Sequence, residues 1–205
     1  MKAALLPDLL TPCTALEAAH ALRAAWPCSS ETLALALAQA ALETGRFRSM
    51  HCWNFGNVKA APAYEGSYCQ FRCNEVLDGV VQWFDPPHPQ TNFRAFRTID
   101  EGAAAWLAAL RLHFPLAWEA LPEGQPLAFV HALKLGRYFT ADEAPYARAV
   151  ASLWKEFTRL LEGEPGSVPP APLDAGLHAE ALAAKQNYDW ADDAREERNA
   201  ALREP

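Results

Sequence analysis

The sequence lacks an apolar run long enough to cross a membrane, and its first residues do not form a convincing secretory signal. A membrane-spanning helix needs about 20 consecutive apolar residues, and Pro7 and Asp8 interrupt the apolar start of the chain. Signal peptides carry an uninterrupted apolar core after a positive start. We therefore expect a protein that has no membrane span and is synthesised in the cytoplasm without a signal peptide.

Basic residues are also scarce, and no segment collects them. Lys and Arg number 18 against 25 Asp and Glu, which gives a formal net charge of −7. Proteins that bind nucleic acid usually gather Lys and Arg on one basic face, so nucleic acid is not an expected partner. The acidity is concentrated in residues 163–205, which hold nine acidic and four basic side chains against sixteen and fourteen in the remainder.

The cysteines are few and irregularly spaced. Their number, five, leaves at least one thiol unpaired. Zinc sites favour two close Cys pairs or a Cys pair with a His pair, and the nearest match joins His51 and Cys52 to Cys69 and Cys73. This irregular spacing favours buried free thiols, so we expect no metal and no other cofactor. A Cys52–Cys69 or Cys52–Cys73 disulfide is the alternative in an oxidising compartment.

A succession of helical patterns surrounds a short region rich in aromatic residues, Gly and Asn. Apolar residues at helical spacing predict helices, and the turn signal Asp78-Gly79 between two extended segments predicts a hairpin. The predicted helices cover residues 14–26, 31–44, 100–112, 125–135 and 144–161, and the predicted strands cover residues 68–73 and 80–84. The chain therefore reads as helices, then a small β lobe, then further helices, and it shows no alternating βαβ repeat. This order predicts a mainly helical α+β fold.

The predicted domain covers residues 1–162. A stretch rich in Pro and Gly follows it and has the composition of a linker. The rest of residues 163–205 carries little apolar surface to bury. We therefore predict a Pro-rich linker and an acidic, mobile helical tail.

Glu43 is the residue with the clearest chemical potential. It stands near the end of an almost wholly apolar helical pattern, ETLALALAQAALET, and Gln39 lies one turn earlier on the same face. An apolar surrounding makes a carboxylate costly to ionise. A carboxyl group that keeps its proton near neutral pH is what general acid catalysis requires. The alternative is a glutamate that emerges into water at the helix end.

Four segments around Glu43 together resemble the peptidoglycan glucosaminidases of glycoside hydrolase family 73, which occur in flagellar and autolytic cell-wall hydrolases. The matching segments are AALETG at residues 40–45, NFGNVKA at 54–60, FRAF with DEG at 93–102, and HAL, GRYFT and PYA between 131 and 147. They occur in the order of the family and span roughly residues 30 to 160. The resemblance implies a lysozyme-like fold with Glu43 as the catalytic acid.

The resemblance also implies a second acidic residue in the β lobe. Its position in the family hairpin falls on Glu75, with Glu65, Asp78 and Asp85 as rivals. The second carboxylate would activate water or stabilise an oxocarbenium-like centre. Alternatively, the acetamido group of the substrate supplies the nucleophile, and Glu75 orients it.

Further candidate site residues come from the same segments. The family tyrosine thought to line the catalytic centre matches Tyr138, and core packing is its alternative role. Aromatic side chains in or beside the lobe stack on sugar rings in one interpretation, and core packing explains each of them equally well. Two polar residues order the loop below Glu43 or contact sugar hydroxyls, and the structural role is the favoured one. These candidate substrate-binding residues are Trp53, Asn54, Phe55, Lys59 and Trp83.

The resemblance implies hydrolysis of the β-1,4 bonds of peptidoglycan on the GlcNAc side, whereas the residues alone imply a carboxylate-assisted glycosidase. N-acetylmuramidase activity on the same fold and a non-catalytic glycan-binding or structural phage module are the alternatives. Without a signal peptide, the protein would reach the cell wall by release or through another export system. The acidic tail is a candidate docking element for a delivery or immunity protein.

Overall fold

The computed structural model describes residues 4–77, 80–139 and 142–162. Within these ranges the helices are α1 (Ala15–Ala25), α2 (Ser30–Glu43), α3 (Ile99–His113), α4 (Pro115–Ala120), α5 (Pro126–Leu135) and α6 (Glu143–Leu161), and the strands are β1 (Ala4–Leu5), β2 (Ser67–Gln70), β3 (Cys73–Leu77), β4 (Val80–Phe84) and β5 (Asn92–Arg94). The predicted turn at Asp78-Gly79 and the linker and tail at 163–205 lie outside the described residues. The division of the chain at residue 162 therefore stays a prediction.

The α+β prediction is confirmed, and the five predicted helices form with bounds that shift by at most one residue. Their caps explain this agreement. The Thr14 side chain accepts the backbone N–H of Glu17 at the start of α1, and the Thr98 side chain accepts that of Glu101 at the start of α3, as N-cap residues do. Helix α4 was missed because its six residues are too few to show a helical period.

Helix α2 is buried along almost its whole length. Every residue from 32 to 43 is buried, as expected for a helix that is apolar on all sides. Ser29 caps its start by accepting the backbone N–H of Thr32 at 3.2 Å. Just beyond its end Gly45 takes a φ of 56°, the left-handed conformation that commonly terminates helices. Helix α6 packs along α2, so side chains of the last helix face the end of α2.

The β lobe consists of two separate sheets. One has the order β1-β2-β5, with β1 parallel and β5 antiparallel to β2, and the other is the β3–β4 hairpin. The predicted pairing of residues 68–73 with 80–84 was therefore wrong, since the partner of β4 begins at Cys73. Between β2 and β3 the ring of Phe71 stacks on that of Phe93, with the ring centroids 4.0 Å apart.

The loop after α2 is fixed against helix α3 by a close backbone contact. A Cβ atom at Gly102 would lie only 1.9 Å from the carbonyl oxygen of Trp53. Glycine at this helical position lets the loop backbone approach α3 without a clash. The contact therefore fixes the position of the loop that follows Glu43 relative to α3.

The helices of the described ranges include none that is both long and apolar enough to cross a membrane.

Candidate active site

Glu43 is the last residue of α2, and its side chain is almost completely enclosed. It is 3% exposed, and the hydroxyl of Tyr146 on α6 donates a hydrogen bond of 3.1 Å to its Oε1. The backbone carbonyl of Glu43 accepts a 2.7 Å hydrogen bond from the side-chain amide of Asn57. The prediction that Glu43 ends a buried helix is therefore confirmed. The alternative, a glutamate side chain that emerges into water at the helix end, is not what the structure shows.

Two buried phenols adjoin this carboxyl group. Burial raises the pKa of Tyr138 and of Tyr146 well above the usual value, and the negative charge of Glu43 raises both further. The two hydroxyls therefore stay protonated at neutral pH and act as hydrogen-bond donors to a carboxylate. Tyr138 also packs edge-on against Phe114, with the ring centroids 4.9 Å apart. Its ring therefore belongs to the core, while its hydroxyl adjoins Glu43.

Tyr146 is the site residue that sequence reasoning missed. Its ring packs in the core, where it stacks on Phe139 with a centroid distance of 4.3 Å. The hydroxyl nevertheless reaches Glu43, which lies 103 positions earlier. The signal that could have found it is the PYA segment, which belongs to the same resemblance as Glu43.

Gln39 lies one helical turn before Glu43 and is fully buried. Its side-chain amide adjoins the hydroxyls of Tyr138 and Tyr146 and counteracts part of the rise in the pKa of both phenols. A buried amide is costly unless neighbouring polar groups satisfy it, and the two phenols are such groups. Together with Glu43, Tyr138 and Tyr146 it forms a small polar cluster within an otherwise apolar helical layer, which we call the Glu43 cluster.

The turn that follows Glu43 has unusual backbone geometry. Gly45, Arg46 and Phe47 have successive φ values of 56°, 60° and 64°. Left-handed geometry costs about 1–2 kcal/mol per residue outside glycine, so the surroundings must hold this turn in place. Arg46 forms an ion pair with Glu156 on α6, and the Phe47 N–H donates to the Thr44 hydroxyl at 3.1 Å. The strained turn leads into the loop whose Asn57 binds the Glu43 carbonyl.

Two predicted substrate contacts are internal residues instead. The Asn54 side-chain nitrogen donates to the carbonyls of Val58 and Arg94 at 3.0 and 2.9 Å, and its oxygen accepts the Val58 N–H at 2.8 Å. Phe55 is fully buried, with its ring 6.1 Å from that of Phe47. Both side chains therefore take the alternative roles of ordering and packing the loop, and their contact with sugar stays a prediction.

Lys59 and Trp53 also have partners within the protein. The Lys59 ammonium donates to the carbonyl of Gln90 and lies 4.1 Å from the centroid of the Phe93 ring. The Trp53 indole is half-buried and packs against the main core. Both side chains keep some exposed surface, so their contact with substrate stays a prediction.

The β3–β4 hairpin contains the remaining candidates. Trp83 is 54% exposed and lies under the guanidinium of Arg72, 4.5 Å from its centre. Glu75 pairs in register with Gln82 on the opposite strand, and its side chain lies outside the described part of the structure. Asp85, one rival for the second carboxylate, is exposed and pairs with Arg72 at 3.1 Å.

Glu65, a second rival, is also exposed, and Asp78 lies outside the described residues. The assignment of the second carboxylate therefore stays a prediction.

The residues of the zinc alternative, His51, Cys52, Cys69 and Cys73, make separate contacts in the described structure. Cys73 contacts the carbonyl of Gln90 and the ammonium of Lys59, while the His51 ring pairs with Asp8. All five cysteines are free thiols. The structure instead brings Cys52 and Cys69 together with Asp8.

The architecture matches solved cell-wall hydrolases. A peptidoglycan hydrolase mutant from Sphingomonas sp. A1 is 24% identical over 72% of this chain and 91% of its own, with a TM-score of 0.51. The unmutated Sphingomonas sp. A1 enzyme is 20% identical over 76% and 96%, also with a TM-score of 0.51. The chain has the lysozyme-like fold of these hydrolases.

A C-terminally truncated glycoside hydrolase domain of FlgJ from Salmonella typhimurium is 22% identical over 70% of this chain and 92% of its own, with a TM-score of 0.46. No protein-family model and no curated protein matches the sequence.

Proposed function

We propose that this protein hydrolyses β-1,4 glycosidic bonds of peptidoglycan, with Glu43 as the general acid. The observation that carries the proposal is the Glu43 carboxyl group itself, enclosed at the end of a buried helix and bound by the hydroxyl of Tyr146. The lysozyme-like fold shared with the peptidoglycan hydrolase structures from Sphingomonas sp. A1 supports the substrate class. Because a fold alone does not determine chemistry, the proposed reaction rests on the position of the Glu43 carboxyl group.

The Glu43 cluster suits proton donation to a leaving sugar oxygen. The hydrogen bond from Tyr146 fixes the orientation of the carboxyl group before the substrate arrives, which reduces the cost of positioning it. When Glu43 gives up its proton, the phenols of Tyr138 and Tyr146 remain as donors to the carboxylate that forms. Hydrogen bonds to an ionised acceptor are roughly twice as strong as neutral ones, so the cluster stabilises the enzyme after proton transfer.

We assign the bond cleaved to the GlcNAc side, as an endo-β-N-acetylglucosaminidase. The support is the ordered resemblance of four segments around Glu43 to the glucosaminidase family. Glu75 on the hairpin is the proposed partner, either as a carboxylate that assists water or as the group that orients the substrate acetamido group. We propose that the protein meets this substrate at the cell wall, after release or export by another system.

The proposal is tested by clearing of purified sacculi, followed as loss of turbidity. Glu43→Gln keeps the size of the side chain and removes the proton donor, so we expect activity to fall by about 100-fold or more. Glu31→Gln is the matched control, because Glu31 is exposed in the first turn of the same helix. A thermal melt of each variant shows whether the fold is kept.

Equal clearing by the wild type and Glu43→Gln would refute the role of Glu43. No clearing by either protein would favour a glycan-binding module without catalysis. Mass spectrometry of the released fragments then identifies the new reducing end. GlcNAc at that end supports the glucosaminidase assignment, whereas MurNAc would refute it and leave the hydrolase proposal intact.

A further inference from the structure

Three side chains from distant parts of the sequence meet in the β lobe, away from the Glu43 cluster. The ligand atoms of Asp8, Cys52 and Cys69 all lie within 4.8 Å of one another. Both thiols are buried, and the carboxylate is at the surface. Thiolate and carboxylate are both zinc ligands, and metal–ligand bonds of about 2.0–2.3 Å bring such atoms to comparable mutual distances.

Backbone hydrogen bonds hold the three segments in place. The Leu6 N–H donates to the carbonyl of Tyr68 at 2.7 Å, and the Cys52 N–H donates to the carbonyl of Leu9 at 2.8 Å. The segment that contains Asp8 is therefore fixed between β2, which carries Cys69, and the loop after α2, which carries Cys52. The meeting of the three side chains follows from this backbone arrangement.

A fourth residue orients the carboxylate. The His51 Nδ1 atom lies 2.7 Å from Asp8 Oδ1, and the His51 ring stacks on Phe71 with the centroids 4.1 Å apart. The hydrogen bond and the ring stacking together hold the Asp8 carboxylate in place. Residues that hold metal ligands in this way raise metal affinity in known sites.

The local core is small, which gives a metal ion a physical role there. Its fully buried members are Cys52, Cys69, Phe93 and Ala95. So few side chains contribute little hydrophobic stabilisation, and small lobes of this kind are commonly reinforced by a metal or a disulfide.

We propose that Asp8, Cys52 and Cys69 bind one zinc ion, with water in the fourth position on the exposed side of Asp8. Binding releases the two thiol protons to solvent and forms two zinc–sulfur bonds and one zinc–oxygen bond. The ion cross-links the N-terminal segment, the loop after α2 and strand β2. This zinc site is independent of the proposed hydrolase activity.

The test measures zinc bound to the full-length protein after incubation with zinc sulfate and gel filtration. We expect about one zinc ion per chain, a loss of zinc in Cys69→Ser and weaker retention in Asp8→Asn. Cys13→Ser and Cys28→Ser are the matched controls, because both thiols lie outside the cluster. They should keep the metal.

Cobalt(II) and thermal melts give two further measurements that do not depend on activity. Cobalt in the site should show thiolate-to-metal charge-transfer absorption in the wild type, weaker absorption at the same cobalt concentration in Asp8→Asn, and little or none in Cys69→Ser. A chelator should lower the melting temperature of the wild type and leave that of Cys69→Ser unchanged. Asp8→Asn changes an exposed residue, so it tests the site even if Cys69→Ser fails to fold.

Absence of bound zinc in the wild type, or equal zinc in the wild type and Cys69→Ser, would overturn the proposal. A mass lower by two hydrogen atoms, with a linked Cys52–Cys69 peptide after digestion, would also overturn it in favour of a disulfide.

Discussion

Tyr146 Oη and Glu43 Oε1 are 3.1 Å apart and joined by a hydrogen bond between α6 and α2. Both side chains are buried, so this bond forms where no bulk water competes with it. A hydrogen bond in such surroundings is electrostatically stronger than one at the surface. The packing of the last helix on the second therefore determines the orientation of the candidate catalytic acid.

Tyr146→Phe removes this donor while keeping the ring that stacks on Phe139. We expect the rate of sacculus clearing at saturating substrate to fall by about 10- to 100-fold, because hydrogen bonds to charged groups contribute about 1.5–3 kcal/mol. The apparent KM should change little, since Tyr146 is enclosed and does not touch the glycan. The measurement is initial clearing rate as a function of sacculus concentration.

Tyr68→Phe is the matched control, because Tyr68 is a half-buried tyrosine on β2 in the other lobe. It should clear sacculi at the wild-type rate. A Tyr146→Phe variant with an unchanged maximal rate and a normal melt would show that the hydrogen bond serves stability alone.

The buried phenols also predict a loss of stability in alkali. Burial and the charge of Glu43 raise the pKa of Tyr138 and Tyr146 in the folded protein, whereas phenols of the unfolded chain titrate near pH 10. Above that pH the folded state binds more protons than the unfolded state, so the free energy of unfolding falls as pH rises. Each phenol contributes up to about 1.4 kcal/mol per pH unit to this slope.

Urea unfolding at a series of pH values from about 8 to 11 measures this slope. Tyr146→Phe should lower the number of protons released on unfolding above about pH 10 by up to one, which makes the slope of unfolding free energy against pH shallower. Tyrosinate absorbance should show that two phenols titrate only on unfolding. The same slope in the variant and the wild type would contradict the assignment of Tyr146.

Asn54→Ala tests whether Asn54 orders the loop instead of binding sugar. Its side chain makes three internal hydrogen bonds, to the Val58 N–H and to the carbonyls of Val58 and Arg94. We expect a loss of about 2–4 kcal/mol in the free energy of unfolding, because the substitution leaves buried partners unsatisfied. Denaturant unfolding measures the loss, and binding to insoluble peptidoglycan below the melting temperature should be nearly unchanged. Weaker binding at wild-type stability would restore Asn54 as a sugar contact.

Trp83→Ala tests the exposed surface of the hairpin as a glycan platform. Aromatic faces stack on sugar rings, and the loss of one such contact costs about 1 kcal/mol. We therefore expect roughly 5- to 10-fold weaker retention on insoluble peptidoglycan, with an unchanged melting temperature because the indole is largely exposed. Leu127→Ala is the control, since Leu127 is similarly exposed on α5. Equal retention of the two variants would exclude Trp83 from the glycan surface.

The sequence was most informative where the pattern was local. The apolar run of residues 33–42 requires a buried helix whatever surrounds it, and Ser29, Thr44 and Gly45 place its ends. Glu43 was therefore predictable as a buried carboxyl group. The hairpin was less predictable, because extended segments of four or five residues can pair in several ways. Strand β2 pairs with β5, which lies about 25 positions later, while β3 pairs with β4, and the residue spacing does not reveal this choice of partners.

Tertiary structure decided which residues meet. Asn54 and Phe55 belong to the segment that resembles a known family, yet their side chains are enclosed by residues that the spacing does not reveal. Cys69 lies near Asp8 because β2 pairs with the N-terminal strand. The sequence by itself determined the helices and the acid at the end of α2, because short-range periodicity and capping specify them. Only the packing of α6 on α2 brought Tyr146 to Glu43, since that contact joins positions 103 residues apart.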